Sequence, residues 1–508
     1  MKPDTLTALL ARGADDATAL HAPGGRPLAY AALRQLMART AAGLRAAGVR
    51  RADRVAIVLP NGPEMAASFV AVAAAAAACP LNPGYRADEF EFYLSDLHAR
   101  ALLVERGSTS PAIAVAEKLG VRVLELVPGP AGSGDFTLAS SAAGAADTAT
   151  ADAGAAQPGD IALILHTSGT TSRPKIVPLT QANVCASAGN VARTLALDAG
   201  DRALNIMPLF HIHGLIAGLL APLSVGSTIY CSPGFNALRF FAWMAECRPT
   251  WYTAVPTMHQ TILARAAQSK DVIAANPLRF LRSSSSSIPP QVIAELEAVF
   301  GAPLIESYGM TEAAHQMASN PLPPATRKPG TVGQAAGPEV AIMDAAGALL
   351  PPGSTGEIVI RGPNVTAGYE NNPKANDEAF TNGWFRTGDQ GAMDADGYVS
   401  ITGRLKEIIN RGGEKVSPRE VDEVMMDHAA VAQVVTFAMP HDKLGEDVAA
   451  VVVLRDGASA SERELREFVQ ARLADYKVPR KIIFMDEIPK GATGKLQRIG
   501  LAQKLGLA

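Results

Sequence analysis

The stretch HTSGTTSRPK, residues 166–175, concentrates hydroxyl side chains, a glycine and a lysine. Small residues let backbone N–H groups approach an oxyanion, and hydroxyls and an ammonium group donate to it, which is phosphate-binding chemistry. The G-x-x-x-x-G-K-[ST] spacing of the P-loop is absent, and Pro174 does not suit a helix that starts here. A polar surface loop after a buried strand is the alternative. The phosphate-binding residues that we predict are Thr167, Ser168, Gly169, Thr170, Thr171 and Lys175.

Four further regions combine residue types that could do chemistry. They are MPLFHIHG (207–214), ESYGMTEAAH (306–315), WFRTGDQG (384–391), and the pair GRLKEIINRGGEKVSP and PKGATGKLQR that starts at residues 403 and 489. A carboxylate can bind a hard cation or accept two hydroxyl groups, and an ammonium group can stabilise developing negative charge. Taken singly, Glu312 could equally be a carboxylate at a helix start, and Lys495 a solvated charge in the tail.

The elements that must position these regions alternate between short β-rich runs and helical patterns. This alternation predicts α/β architecture with parallel sheets in two doubly wound units. We expect the Ala-rich stretch 71–79 to be a buried helix, and residues 128–159, rich in Ala, Gly and Ser, to be a loose surface connection. Ligands bind beyond the carboxyl ends of strands in such folds. The strand predicted at 161–165 leads into the hydroxyl-rich loop, which favours a functional role for it.

The pattern changes in the last third of the chain. Between residues 338 and 402, short strands with Gly and Pro turns predict a small β unit. Beyond Arg404, two helical patterns and two strands predict a compact α+β domain of about a hundred residues. The sequence gives no indication of the oligomeric state.

Composition favours small-molecule chemistry. The 508 residues include 46 Lys and Arg against 49 acidic residues, a net charge of −3, so we expect no nucleic-acid partner. The length predicts at least two domains. Four widely spaced cysteines predict neither disulfides nor a zinc site, and fit a reducing compartment. No signal peptide or bilayer-spanning run is evident, so we expect a cytoplasmic protein without integral membrane association.

Together and in this order, the five regions resemble the adenylate-forming superfamily of acyl-CoA synthetases, firefly luciferase and peptide-synthetase adenylation domains. The resemblance covers essentially the whole chain. It implies a large N-terminal AMP-binding domain, residues 1–403, with two doubly wound sheets and a small β-barrel-like unit. It also implies a hinge at residues 404–407 and a small, mobile α+β domain at residues 408–508.

The resemblance implies an AMP-forming ligase that uses a small carboxylic acid, ATP, Mg²⁺ and coenzyme A in two half-reactions. A carboxylate attacks the α-phosphorus of MgATP to give an acyl-adenylate and pyrophosphate, and a thiol then displaces AMP. The hydroxyl-rich loop is expected to grip the β- and γ-phosphates, which form the leaving group. Thr311 is expected to contact the α-phosphate, and Glu312 to bind the metal.

The resemblance also assigns the nucleoside. Asp389 is expected to accept both ribose hydroxyls, which suits two carboxylate oxygens, with Arg404 as its basic neighbour. Tyr308 is expected to pack on the adenine, with Ser286 and Ser287 nearby. A core tyrosine is the alternative for Tyr308.

Two lysines carry the expected catalytic cycle. Lys495 matches the catalytic lysine of the superfamily, whose ammonium group bridges the incoming carboxylate and the α-phosphate oxygens. Lys406 resembles the hinge residue about which the small domain turns between half-reactions. Gly412 and Gly413 are expected to line the pantetheine tunnel, since a backbone without side chains permits close approach, or they simply form a turn.

Three rival functions are less favoured. Amino-acid activation requires an aspartate after the phenylalanine of a Phe-Asp-x-Ser motif to bind the α-ammonium group, but here Phe210 precedes His211. Luciferase-like oxygenation has no motif of its own in this chain. A non-catalytic scaffold would be expected to lose Lys495, Glu312 or Asp389, and all three are present.

The acid substrate is expected to be small and polar. RSSSSSIPP (282–290) and TEAAHQMASNPLPP (311–324) resemble the oxalyl-CoA synthetase branch of the superfamily, in which a Ser and a His matching Ser285 and His315 hold the distal carboxylate. We place His211 with them as a third substrate residue. The alternatives are that the serines contact adenine or cap a helix, and that His315 is a satisfied donor to His211 or to the backbone. A medium-chain fatty acid or an aryl acid is the competing substrate.

Overall fold

Two large, mostly parallel sheets covered by helices dominate the computed structural model, which describes residues 3–140, 154–167, 174–489 and 496–508. In the seven-stranded sheet the five central strands are parallel, and the strand at each edge is antiparallel to its neighbour. Buried Val, Ile, Leu and Ala suit strands that are covered on both faces. In spatial order the strands are Phe136–Ser140, Arg122–Pro128, Ala101–Glu105, Arg54–Val58, Ala77–Pro80, Ile161–Thr167 and Lys175–Thr180.

The nine-stranded sheet carries most of the candidate site at one end. Six of its strands are parallel, and the last two at one edge and the last one at the other are antiparallel. In spatial order the strands are Gln334–Ala335, His315–Ser319, Leu304–Met310, Phe280–Ser283, Trp251–Ala254, Arg202–Asn205, Thr228–Cys231, Thr18–His21 and Leu28–Ala29.

Helices cover both sheets and begin at recognisable caps. The helix Gln181–Thr194 begins where the Thr180 hydroxyl accepts the Asn183 N–H at 3.1 Å, since threonine is a favoured N-cap residue. A buried π-helix, His213–Leu220, follows the MPLF segment. The other helices before residue 400 are Leu6–Leu10, Tyr30–Ala46, Pro63–Ala73, Ala87–Asp96, Pro111–Lys118, Ala221–Leu223, Phe240–Cys247, Pro256–Ala266, Lys270–Ala275, Pro290–Phe300 and Pro373–Ala379, with 3₁₀ turns at Ala267–Ser269 and Thr311–Ala313.

A five-stranded antiparallel sheet forms the predicted small β unit. Its strands are Glu339–Met343, Thr355–Arg361, Trp384–Met393, Phe380–Thr381 and Val399–Arg404. A second five-stranded sheet with flanking helices follows residue 408, in agreement with the α+β prediction. Its elements are Ile409–Arg411, Glu414–Val416, Pro418–Met426, Val431–His441, Gly445–Leu454, Glu462–Gln470, Asp475–Lys477, Lys481–Phe484 and Leu501–Lys504.

Two local predictions were wrong. The Ala-rich stretch 71–79 is not one helix, because the helix ends at Ala73 and Ala77–Pro80 forms a buried strand. That strand pairs in parallel between two neighbours, so tertiary contacts override the helical propensity of alanine. The segment 128–159 is not entirely a loose connection, because Phe136–Ser140 forms an antiparallel edge strand.

The small domain contacts the large one near the proposed hinge. The Leu405 N–H donates to the Gly388 carbonyl at 2.9 Å, and the Ser417 hydroxyl donates to the Thr402 carbonyl. All four cysteines are free. Among helices in the described ranges, none combines the length and the apolar character that crossing a membrane requires. The cytoplasmic location and the domain boundaries stay predictions.

The buried Glu306 allows a test of how the folded structure changes the pKa of a carboxylate. Its carboxylate accepts the Gly330 N–H at 3.2 Å and the Asn320 amide at 3.3 Å, and burial raises its pKa to about 8. The folded state keeps this proton up to about pH 8, whereas the unfolded state loses it near pH ~4.3, so stability falls between these values. We expect Glu306→Gln to be more stable than the wild type at pH 8, by roughly 1 kcal/mol or more, and little changed at pH 5.

Thermal unfolding at pH 5 and pH 8 measures this effect. The exposed Glu117→Gln provides the matched control, because this carboxylate is not buried. Equal pH dependence in the wild type and in Glu306→Gln would contradict the prediction.

Candidate active site

The predicted ribose residues form one connected group, in which Asp389 is buried and Arg404 is exposed. Asp389 and Arg404 face each other across the paired strands Trp384–Met393 and Val399–Arg404, and Arg404 Nε lies 2.9 Å from Asp389 Oδ1. The Tyr308 hydroxyl donates to the other carboxylate oxygen. Burial and the adjacent Asp389 charge raise the pKa of Tyr308 well above its usual value, so it stays a donor. The structure therefore joins three predicted residues that lie far apart in the sequence.

The serines predicted near the adenine are less enclosed. Ser286 and Ser287 are exposed in the loop after the strand Phe280–Ser283. Tyr308 is buried and held through its hydroxyl. That contact fits the core-tyrosine alternative and leaves packing on an adenine as a prediction.

Glu312 lies buried in the 3₁₀ turn Thr311–Ala313, directly after a strand of the nine-stranded sheet. The Tyr369 hydroxyl donates to Glu312 Oε1 at 2.7 Å. Burial raises the pKa of Glu312, while this hydrogen bond and the charges of Arg404 and Lys175 oppose the rise. A cation beside the carboxylate would hold it ionised, which is the environment that a metal ligand needs.

Mg²⁺ fits this donor set. The described residues contain no group of three or more His, Cys, Asp and Glu side chains that could hold a metal. Mg²⁺ is commonly bound by one or two carboxylates together with substrate phosphates and water, so a single buried Glu312 is sufficient on the protein side.

Lys175 lies near the Glu312 end of the site. It begins the strand Lys175–Thr180, which pairs with Ile161–Thr167 so that Thr167 is opposite Lys175. The Lys175 ammonium group lies 4.2 Å from the centre of the Tyr369 ring, so it is close to the Glu312 environment. The predicted residues Ser168, Gly169, Thr170 and Thr171 lie outside the described residues, and their role stays a prediction.

A second buried group contains the predicted acid-binding residues. His213 Nδ1 lies 3.1 Å from Ser285 Oγ, and the rings of His213 and His315 stack with centres 4.9 Å apart. Arg282 lies behind both rings, with Nη1 3.2 Å from His213 Nε2 and Nη2 3.0 Å from His315 Nε2. Ser285 and His315 are thus brought together as predicted. We call Arg282, His213, His315 and Ser285 the buried polar cluster.

The backbone is unusual at both predicted residues. Ser285 has a φ of 76° and His315 a φ of 97°, values that are uncommon for residues other than glycine. A Cβ at Gly309 would lie 1.9 Å from the His315 carbonyl oxygen, so only glycine fits beside this turn. Positive φ values kept by a well-packed surrounding are typical of functional sites.

Sequence reasoning missed His213, Arg282 and Tyr369. It selected His211 from the HIH triplet, but His211 is half-buried and its Nδ1 accepts the His213 N–H at 3.3 Å. His213 begins the π-helix, and a Cβ at Gly214 would lie 2.3 Å from the Pro208 carbonyl oxygen. This close approach turns His213 inward. The available signal for Arg282 was a charged residue inside an otherwise buried strand pattern.

The residues proposed for the second half-reaction belong to the part of the chain that follows Arg404. Gly412 and Gly413 form the turn between Ile409–Arg411 and Glu414–Val416, both with positive φ, and Gly412 N–H donates to the Leu444 carbonyl. Lys406 is exposed. Lys495 lies outside the described residues, but Arg498, three positions later, pairs with Glu407 at 3.5 Å and with Asp422 at 2.6 Å. The segment that follows Lys495 is therefore anchored beside the proposed hinge.

We expect Lys406→Pro to preserve adenylation and to block thioester formation. Proline fixes φ near about −65°, and a hinge residue must change its backbone angles. Pyrophosphate exchange and CoA-dependent AMP release measure the two steps separately. Lys406→Ala, which removes the charge and leaves φ free, is expected to retain more of the second step. Full thioester formation by the proline variant would show that Lys406 is not a hinge residue.

The fold is that of an adenylate-forming enzyme. The chain belongs to the AMP-binding enzyme family, since the model of that enzyme matches residues 9–370 and the model of its C-terminal domain matches residues 420–495.

Two similar proteins share the same named activity. Oxalate–CoA ligase of Arabidopsis thaliana is 44% identical, and the match covers 99% of each chain. Oxalate–CoA ligase of Saccharomyces cerevisiae is 42% identical, with 90% of this chain and 87% of the relative covered. The predicted superfamily and its oxalyl-CoA synthetase branch are confirmed, and with them the assignment to the AMP-forming acid–CoA ligases.

The solved structure of ATP-bound MatB from Rhodopseudomonas palustris has the same fold. Its TM-score is 0.87 at 31% identity, with 99% of this chain and 98% of MatB covered. Apo MatB, over the same coverage, has a TM-score of 0.78. The α/β fold prediction is confirmed, and the chain superposes better on the ATP-bound form.

Proposed function

We propose that this protein converts oxalate, ATP and coenzyme A into oxalyl-CoA, AMP and pyrophosphate. The observation that carries this proposal is the buried polar cluster of Arg282, His213, His315 and Ser285. The similarity to the two oxalate–CoA ligases supports it.

The cluster suits a second carboxylate on the substrate. Arg282 is fully buried, and none of its partners among the described residues is a carboxylate: they are Thr253, His213, His315 and Gln316. A buried cation without a carboxylate partner is costly unless an anion binds near it. A fatty-acid tunnel would instead require apolar lining. The cluster therefore favours a short acid with a distal negative charge.

The proposed nucleotide contacts start from the group formed by Asp389, Arg404 and Tyr308. We assign Asp389 and Arg404 to the ribose, Thr311 to the α-phosphate, and Lys175 with the hydroxyl-rich loop to the β- and γ-phosphates. Glu312 would hold Mg²⁺, which neutralises phosphate charge when bound. ATP use is supported by the family and by ATP-bound MatB. Mg²⁺ and coenzyme A are part of this proposal.

The chemistry balances in two steps. An oxalate oxygen forms a bond to the α-phosphorus, the bond from that phosphorus to the β-phosphate oxygen breaks, and pyrophosphate leaves. The CoA sulfur, having lost its proton, then bonds to the acyl carbon, and AMP leaves with the bridging oxygen. Lys495 would stabilise charge in the first step.

We assign residues 404–407 as the hinge and residues 408–508 as the domain that rotates between the steps. Gly412 and Gly413 would then approach the pantetheine arm. The better superposition on ATP-bound than on apo MatB supports an arrangement suited to adenylation.

CoA-dependent AMP release tests the substrate assignment. Oxalate is compared with acetate, butyrate, octanoate and benzoate at saturating ATP. Oxalate is expected to exceed each of them in kcat/KM, by about 10⁴-fold where an unpaired polar site penalises the analogue fully. Higher activity with octanoate or benzoate would overturn the small-dicarboxylate assignment and keep the ligase. The absence of both pyrophosphate exchange and AMP release would favour a scaffold.

A further inference from the structure

Both terminal nitrogens of Arg282 face acceptors, whereas its buried Nε has no hydrogen-bond partner among the described residues. It lies on the strand Phe280–Ser283, and its carbonyl accepts His259 Nε2 at 3.1 Å. Nη1 is 3.2 Å from His213 Nε2 and 3.3 Å from Thr253 Oγ1. Nη2 is 3.0 Å from His315 Nε2 and 3.3 Å from Gln316 Oε1. Burial lowers the pKa of Arg282 to about 9, which leaves the guanidinium charged at neutral pH.

The Gln316 amide confirms the direction of these bonds. Its Nε2 donates to Thr194 Oγ1 at 3.1 Å and to the Ala336 carbonyl at 3.0 Å. Its oxygen must therefore face the guanidinium. The acceptor role of Gln316 is fixed by its other partners rather than by Arg282 alone.

The guanidinium of Arg282 also determines which ring nitrogen of His213 and of His315 carries the proton. A guanidinium only donates hydrogen bonds, so both Nε2 atoms that face it must be unprotonated acceptors. His213 Nε2 is also 2.6 Å from the Thr253 hydroxyl, which can donate to the same lone-pair side. In a neutral imidazole the proton is then on Nδ1.

The Nδ1 atom of each ring is the one that does not face Arg282. His213 Nδ1 faces Ser285 Oγ at 3.1 Å, so Nδ1–H donates to it and the Ser285 hydroxyl proton is directed elsewhere. His315 Nδ1 lies next to Gly309, 3.2 Å from the position that a Cβ would take there. Both rings thus present donors away from the arginine.

We propose that Arg282 is a positioning residue that locks His213 and His315 in the Nδ1–H tautomer, so that His315 and Ser285 offer donors to the distal carboxylate. This inference rests on the proposed function for the identity of the acid. The tautomer itself depends only on the geometry of the cluster. An acceptor at position 282 would release the lock, and another obligate donor would keep it.

Two variants separate these cases. Lysine only donates, whereas glutamine both donates and accepts and so permits either tautomer. Arg282→Gln is expected to lose about 10- to 100-fold in kcat/KM for oxalate, mainly through KM, with the KM for ATP nearly unchanged. Arg282→Lys is expected to recover part of that loss. Arg279→Lys is the matched control, because Arg279 pairs with Asp201 outside the cluster.

Nitrogen-15 NMR of histidine-labelled protein reads the tautomer directly. His213→Gln and His315→Asn assign the two signals. The wild type is expected to show Nδ1–H for both rings, and Arg282→Gln to show a mixture. An Nε2–H tautomer in either wild-type ring would overturn the inference, even if no Arg282 variant folds.

The two proposals fail in different ways. If the wild type does not prefer oxalate but shows both Nδ1–H rings, the substrate assignment fails and the lock stands. If the wild type prefers oxalate and Arg282→Gln keeps both that preference and the tautomers, the lock is wrong and the substrate assignment stands.

Discussion

Replacing Lys495 with alanine is expected to slow formation of the acyl-adenylate by about 10²- to 10³-fold, the usual cost of losing one preorganised donor to a developing oxyanion. Thioester formation from a supplied acyl-adenylate is expected to be largely spared. The reason is that the ammonium group acts where charge builds between the carboxylate and the α-phosphate, a bond that the second step does not form.

Pyrophosphate exchange measures the first step, and CoA-dependent AMP release from the supplied adenylate measures the second. Lys504→Ala is the matched control, since Lys504 ends the last helix and bonds Gln497 at 3.0 Å. Equal damage to both steps would contradict the separate role of Lys495. With Lys406→Pro, the two lysines are expected to fail in opposite half-reactions.

The ion pairs of Arg498 give a physical reason for the separate effects on the two half-reactions. Arg498 pairs with Glu407 in the proposed hinge and with the buried Asp422 of the small domain. Rotation about the hinge would therefore move the segment that carries Lys495 together with that domain. A lysine supplied by a rotating domain can serve one half-reaction and leave the other free.

The sequence predicted most of the elements that position the site. The apolar run at residues 161–165 located the strand Ile161–Thr167, which leads into the hydroxyl-rich loop. The failure at Ala77–Pro80 has a physical cause, because alanine has the highest helix propensity but also fits a fully buried strand between two neighbours. Phe136–Ser140 was missed because its pairing partner, not its composition, defines it.

The site shows the same division between local and long-range information. Ser285 and His315 were found because they lie in stretches with a recognisable pattern. Arg282 and His213 were not, because their importance arises from long-range packing. Arg282 lies two strands away from His315 in the sheet order Phe280–Ser283, Leu304–Met310 and His315–Ser319, and His213 comes from the separate π-helix His213–Leu220. No spacing in the sequence records this arrangement.

The nucleotide-side residues and the buried polar cluster differ in the charge of their buried side chains. Asp389 and Glu312 are carboxylates with basic neighbours, and they suit sugar hydroxyls and a metal. The cluster around Arg282 is cationic with neutral partners. An acid with two carboxylates can place one end near the phosphates and the other at the His315 and Ser285 donors in front of this cation. Acetate has only one carboxylate, so it leaves the second position without an anion.

Removing the imidazole of His315 is therefore expected to erase most of the preference for oxalate, while ATP binding stays nearly intact. The variant leaves the distal carboxylate without a donor and leaves Arg282 Nη2 without one acceptor. An unpaired buried polar group discriminates strongly, so His315→Ala is expected to lose about 10²-fold or more in kcat/KM for oxalate and far less for acetate.

Parallel kinetics with oxalate and acetate, together with the KM for ATP, measure this change in preference. His315→Asn is the matched variant, because asparagine keeps an N–H donor close to the Nδ1 position. It also tolerates the positive φ of 97° at this residue better than most side chains. Asparagine is expected to restore part of the preference. If His315→Ala lowers both acids equally, the residue supports the fold alone, and the distal carboxylate must be bound by other groups.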